Sequence, residues 1–306
     1  MPHCNDFILS FMERYRYPEI AVKEFTRLEQ RLDAEKDFGD RFDAILNGYL
    51  FPEADGLGEA LDAVKKLGEE YGENEYTIQF LLILNCMPTL KQRYDAAGID
   101  EQIFWDSADD LRCKLKECIQ CKEVPGTFVA GWNDGFLKMK RFAYGRFQYE
   151  VRIHDFDFDF VTSCGKVVKN GDTLINFHIP SSGIPLTDEV RLDSYRQAYP
   201  HYRHLFPDGK VIFCCGSWLL YPKHREFLPK NSNILKFMDD FELVSWAEKD
   251  GFSNDWRVFG KYADLPYEQL PRDTSLRRAY ADWLVKTGKA GDGFGVIVFD
   301  GERICR

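Results

Sequence analysis

Apolar residues recur at helical spacing through roughly the first 122 positions. Ile20, Phe25, Leu28 and Leu32 fall along one stripe, and the segment NEYTIQFLLILNCMPTLKQRY sets Tyr76, Phe80, Leu84 and Met87 along one side of a helix. Pro88 is expected to end or kink that helix, after which DEQIFWDSADDLRCKLKECIQC resumes the pattern with Ile103, Leu111 and Leu115. No period of roughly 20–50 residues recurs, which argues against a helical repeat array. The texture breaks at KEVPGTFVAGWNDG, where Pro125, Gly126, Gly131 and Asn133-Asp134-Gly135 gather turn formers. A helical domain is therefore expected over 1–124 and a second domain over 125–306.

Beyond that break the period drops to two. GFLKMKRFAYGRFQYEVRI reads as two strands around Gly145, and GKVVKNGDTLINFHI as a hairpin turning at Asn170-Gly171. Between them, HDFDFDFV alternates Phe156, Phe158 and Phe160 with Asp155, Asp157 and Asp159. On a strand those carboxylates stand about 7 Å apart, so at most two reach one cation, and the pattern reads as a solvated strand face. A strand at 173–179, a helix near 188–199, a strand at 210–215 and the short helix SNILKFMDDF follow. Strand, helix and strand in that order predict parallel neighbours joined by a crossover. FELVSWAEK and DWRVFGKY read as antiparallel strands. SLRRAYADWLVKTG reads as an amphipathic helix with Leu276, Tyr280, Trp283 and Leu284 inward and Gly288 as its stop, before a closing strand GVIVFD. The glycines of KTGKAGDGFG (286–295) follow a helix and precede a strand, the reverse of a phosphate loop, and read as a helix stop and a turn. The fold class expected is α+β: a helical N-terminal domain, then a mixed β-sheet domain with flanking helices.

Composition narrows the function. The 306 residues are 44% hydrophobic and 15% aromatic, enough for a sizeable ordered core. Fifty acidic against 40 basic residues give a formal charge of −10 with no dense Lys/Arg run, which disfavours nucleic acid. The start, MPHCNDFILSFMERY, has no signal-peptide pattern, and nowhere do about 18 apolar residues run uninterrupted, so a cytoplasmic chain that does not enter the membrane is expected. Nine scattered cysteines, an odd number, suit reduced thiols. Cys118 and Cys121 form a CxxC near Cys113, but no second CxxC or paired histidines complete a zinc site, and no metal is expected. Cys214 and Cys215 are strand neighbours facing opposite sides.

The strings NFHIPSSGIPLT, GSWLLYP, LPKNSNILKFMDDFEL and WRVFG resemble a bacterial family that pairs a helical N-acyltransferase N-terminal domain with a GNAT-like C-terminal domain. The resemblance implies an acyltransferase taking an acyl group from acyl-CoA, acetyl-CoA first among the donors, to an amine on a small molecule or peptide, by direct attack. In such folds the pyrophosphate of CoA lies on backbone amides where the helix after the strand begins. Here that loop is Ser181, Ser182, Gly183 and Ile184, with Thr187 as the helix cap. His178, at the strand's end, is the candidate base. Tyr221 is the candidate acid for the departing thiolate, with Ser217 as its substitute. Three features depart from the fold's pattern. The Arg/Gln-xxGxG signature is absent, Pro180 and Pro185 lack N–H groups, and Asp188 and Glu189 bring negative charge to the helix start. These leave a second class open, a non-catalytic binding protein on a degenerate GNAT-like scaffold.

Overall fold

A computed structural model of the chain describes residues 6–50 and 56–306; Cys4 lies outside the described residues. The chain divides into two compact units, Met1–Lys140 and Arg141–Arg306.

The first unit is helical: α1 (Asp6–Arg14), α2 (Glu19–Ala34), α3 (Lys36–Leu50), α4 (Leu57–Tyr71), α5 (Glu75–Ala96), α6 (Glu101–Lys122) and the short α7 (Asp134–Leu137). Helix α5 is its axis. Asn74 caps it by accepting from the Tyr76 and Thr77 amides, and Ile78, Phe80, Leu81, Leu82 and Ile83 are all fully buried. A helix buried on every side is hydrophobic all round, so the single stripe expected from Tyr76 to Met87 is only part of its packing surface. Pro88 lies inside this helix without ending it. It removes one ladder bond, but Leu84, Met87 and Leu90 around it are buried, and their packing carries the helix through.

The helical unit also extends beyond the composition break at Pro125. Thr77 Oγ1 donates to the Pro125 carbonyl at 2.8 Å, Trp132 Nε1 donates to Asp110 at 2.8 Å, and the Phe136 ring meets those of Tyr94 and Phe104. Gly126 fits because a Cβ there would stand 2.4 Å from the Tyr76 carbonyl. Turn-forming composition marks where the helices stop; side-chain contacts to α5 and α6 decide where the unit stops.

One buried carboxylate gives this unit a pH dependence. Glu29 of α2 is 2% exposed and accepts from Asn85 Nδ2 of α5 at 2.9 Å. Burial pushes its carboxyl up to about 7, and the Asn85 hydrogen bond only partly offsets this. A folded-state value above the unfolded one means the native state holds the proton more tightly, so stability falls as pH rises from about 4.5 through 7. Glu29→Gln is expected to raise stability at pH 8 by on the order of 2 kcal/mol while changing little at pH 5, read from denaturant melts at both pH values. An equal effect at both would remove Glu29 as the cause.

The second unit carries β1 (Arg141–Tyr144), β2 (Phe147–Ile153), β3 (Phe160–Val161), β4 (Val167–Val168), β5 (Thr173–His178), α8 (Asp188–Tyr202), β6 (Val211–Ser217), α9 (His224–Phe227), α10 (Asn233–Met238), β7 (Glu242–Asp250), α11 (Trp256–Phe259), α12 (Ser275–Thr287), β8 (Lys289–Phe299) and β9 (Ile304–Cys305). The sheet order is β1-β2-β5-β6-β8-β7, with β9 beside β8. Strands β5 and β6 run parallel across the α8 crossover, and the other neighbours are antiparallel. Gly145 turns β1 into β2 at φ 62°, where a Cβ would also approach Ser194 of α8 to 3.2 Å. Phe147, Tyr149, Phe177 and Phe213 project from one sheet face onto Tyr195 and Tyr202 of α8 and Phe237 of α10. This is the α+β architecture that the periodicities predict.

Four local expectations are overturned. HDFDFDFV is not a strand over 154–159: the backbone wraps around His154, which is 1% exposed, with the rings of Phe156, Phe158 and Phe160 about it. Asn170-Gly171 does turn the chain, but β4 pairs with β3 and β5 with β2, so no hairpin forms there. DWRVFGKY is helical at Trp256–Phe259, because Val258 and Phe259 bury against Tyr280 and Leu284 of α12. The glycines after Gly288 belong to β8 itself.

Candidate functional site

The ladder between β5 and β6 is short. Ile175 pairs with Phe213 and Asn176 with Cys214, and there it stops. Beyond that point Phe177 and His178 pair only toward β2, while Cys215, Gly216 and Ser217 pair only toward β8. The two parallel strands therefore part at their C-terminal ends, where open α/β sheets place ligands.

At that opening, alternation along the strands sets Glu150 of β2, Asn176 and His178 of β5, Cys214 and Gly216 of β6 and Phe294 of β8 on one face, opposite α8. His178 Nε2 lies 2.7 Å from Glu150 Oε1 and 3.1 Å from Asn176 Nδ2, with its side chain 20% exposed. Arg141 Nε donates to Glu150 Oε2 at 3.0 Å. Burial alone would raise the Glu150 carboxyl, but the hydrogen bond and charge of His178, with Arg141, hold it down to about 2. Glu150 is thus ionised and acceptor-only, so Nε2–H donates to it and makes no hydrogen bond with Asn176 Nδ2, itself a donor; in this tautomer Nδ1 is the nitrogen without a proton. Cys214, buried behind Asn176, has its thiol pushed up to about 12 by burial, which makes it a packing group and not a nucleophile.

The Ser181–Thr187 loop is open on one side and clamped on the other. Arg146, 8% exposed in the β1–β2 turn, donates to the Pro180 and Ile184 carbonyls at 2.8 and 3.0 Å. Arg191, 3% exposed in α8, donates to the Leu186 carbonyl at 2.7 Å and is itself held by Asp240. A trans peptide points its C=O and N–H in opposite directions, so fixing the Leu186 carbonyl inward turns the Thr187 amide outward. Thr187 caps α8 through the Val190 amide, and the Asp188 and Glu189 amides have no carbonyl within the helix to bond. Ser182 Oγ accepts from the Ile184 amide at 3.3 Å, and Gly183, at φ 83°, occupies the left-handed region. Ser181, Gly183 and Ile184 are exposed.

The structure does not bring Tyr221 or Ser217 beside His178. Ser217 Oγ accepts from the Leu219 amide at 3.1 Å and caps a short helical turn at 218–220. Tyr221 packs where a Cβ on Gly291 would stand 2.5 Å from its ring, and residue 291 projects from the face opposite Phe294. Its hydroxyl donates to Glu248 at 2.5 Å, and Lys223 pairs with the same carboxylate at 2.6 Å. Burial, then Glu248, push the phenol above its usual range.

Sequence reasoning missed Glu150, Arg141, Arg146 and Arg191. The signal in hand was the Glu150 position within QYEVRI: a lone carboxylate on a strand whose partner residue becomes known only with the register. Among the described residues no group of three or more His, Cys, Asp or Glu side chains is placed to hold a metal ion, and no helix is long and apolar enough to cross a membrane.

A mixed sheet whose central parallel strands part beside an open strand-to-helix loop is the architecture of a GNAT-like domain. Residues 6–139 match the N-acyltransferase N-terminal domain and residues 142–297 the GNAT-like C-terminal domain, and the chain belongs to the family built from these two. Its fold is similar to that of an acyltransferase mutant in complex with octanoyl-CoA, with a TM-score of 0.72 at 19% identity over 96% of this chain and 88% of that one. It is similar also to an acyltransferase in complex with decanoyl-CoA and teicoplanin, with a TM-score of 0.70 at 19% identity over the same shares. At that identity the likeness establishes the fold. No curated protein matches the chain in sequence.

Proposed function

We propose that the chain transfers an acyl group from a CoA thioester to an amine by direct attack, with His178 as the base. The observation that carries this reading is the His178–Glu150–Arg141 relay at the point where β5 and β6 part. The amine nitrogen forms the new N–C bond at the thioester carbonyl, and its proton passes to Nδ1 of His178. Glu150 stabilises the imidazolium that results. As the C–S bond breaks, the imidazolium returns the proton to the thiolate, so the products are the amide and free CoA. Tyr221 is a poor source for that proton, because its raised affinity exceeds that of a thiolate and Glu248 holds its hydroxyl.

The outward amides at the start of α8, with Ser181, Ser182, Gly183, Ile184 and Thr187, receive the CoA pyrophosphate. Pro180 and Pro185 each remove a donor, yet Pro180 supplies a carbonyl for Arg146 instead, which holds the loop in place. Relatives in complex with octanoyl-CoA, decanoyl-CoA and teicoplanin support an acyl-CoA donor and an acceptor that is a small molecule or peptide; they do not single out acetyl-CoA. A ligand that prefers the folded state raises its melting temperature, so CoA and acyl-CoAs are expected to raise Tm at millimolar concentration. No shift with any of them overturns the reading and leaves a binding protein of another kind. Ser182→Pro is expected to weaken CoA binding about 10-fold, by removing a charge-assisted N–H donor, with turnover at saturating CoA nearly unchanged. Unaltered CoA affinity in that variant would move the phosphates elsewhere.

A further inference from the structure

On the face that carries His178, a row of aromatic rings leads away from the strand opening. Gly216 of β6, the position level with His178 across the gap, is exposed and has no side chain to fill the space beside Phe294. A Cβ there would sit 3.8 Å from the Phe294 ring, so a methylene group in that position makes ordinary van der Waals contact. The Phe156 ring lies 4.9 Å from Phe294, and Phe158 stacks 5.3 Å beyond Phe156 and reaches the surface, 38% exposed. Arg152 lies over Phe294 and Phe156, its charge paired with Asp155 at 2.9 Å. His154 fixes the row from behind: Nε2 lies 3.0 Å from the Phe158 carbonyl oxygen, and its backbone bonds Asp172 and Gly171 at 2.8 Å each.

We propose that this row, Phe294, Phe156 and Phe158, is the seat of the donor's acyl chain, and that it selects a medium-length linear chain over acetyl. The inference rests on the acyltransferase reading, because the chain must start at the thioester beside His178 and Gly216. An acetyl group ends there and touches none of the outer rings, whereas a chain of about eight carbons, at roughly 1.25 Å per carbon, spans the row to Phe158. Apolar burial near 25 cal/mol per Å² makes each fully covered methylene worth about fourfold in affinity. The outermost carbons stay partly wet, so octanoyl-CoA is expected to bind about 10–100-fold more tightly than CoA or acetyl-CoA.

The test is calorimetric titration of CoA, acetyl-CoA, octanoyl-CoA and decanoyl-CoA into the full chain and into Phe158→Ser and Phe156→Ala variants. Phe158 is exposed, so Phe158→Ser keeps the fold and serves where Phe156→Ala does not. The octanoyl-to-CoA affinity ratio is expected to fall at least about threefold in Phe158→Ser and toward one in Phe156→Ala, with CoA itself bound as before. If CoA binds but affinity is flat from acetyl to decanoyl, or the ratio survives both substitutions, the acyl seat is overturned and the acyltransferase reading stands. If no CoA species binds, both fall together.

Discussion

His178→Ala is expected to lower turnover by about 10²–10⁴-fold and to leave CoA affinity within about twofold of the parent. The separation follows from where the groups stand. The imidazole acts at the end of β5, on the face with Glu150 and Phe294, whereas the cofactor's phosphates are assigned to the amides that follow Pro180. Losing the imidazole also strands Glu150, whose remaining ion pair among the described residues is with Arg141 at 3.0 Å. Single-turnover rates with an amine acceptor, measured beside CoA titrations, check both halves. Equal losses in rate and CoA affinity would mean that His178 shapes the site and does no proton transfer.

Gly291→Ala is expected to cost about 3 kcal/mol or more of stability. A Cβ at 291 would lie 2.3 Å from the Ala247 carbonyl of β7 and 2.5 Å from the Tyr221 ring. A backbone carbonyl in a paired strand has nowhere to go, so the sheet must open between β7 and β8 or Tyr221 must leave its place. Gly58→Ala is the internal contrast: nothing lies within 4 Å of that Cβ, and alanine in helix α4 is expected to stabilise by up to about 1 kcal/mol. Denaturant melts of the two variants should move in opposite directions. A Gly291→Ala variant as stable as the parent would mean the edge of the sheet is looser than its register indicates.

These two glycines also show how far the chain's pattern could be read. Helical stripes at Phe25, Leu28 and Leu32, the Asn74 and Thr187 caps and the Gly288 stop are local signals, each set by neighbours within a few positions, and the helices follow them. GDGFG carried no such signal for a strand. Its glycines sit in β8 because Leu220, Tyr221 and Phe241 come close to that strand, and a contact made by residues tens of positions away leaves no local trace. HDFDFDFV failed in the opposite sense: its period of two was real, but a buried histidine at its head drew the phenylalanines around itself.

The sequence by itself determined the helical first unit, the strand-helix-strand order around α8, the histidine at the strand's end and the capped loop after it, because propensity, capping and turn chemistry act over a few residues. Tertiary structure alone decided that β5 and β6 part after Asn176 and Cys214, and that Glu150 lies opposite Asn176 and within hydrogen-bond reach of His178. It decided likewise that Arg146 and Arg191 turn the loop's carbonyls inward. Each of these depends on the register between strands that are distant in sequence, and a shift of one residue would send Glu150 to the other face and leave His178 without its carboxylate.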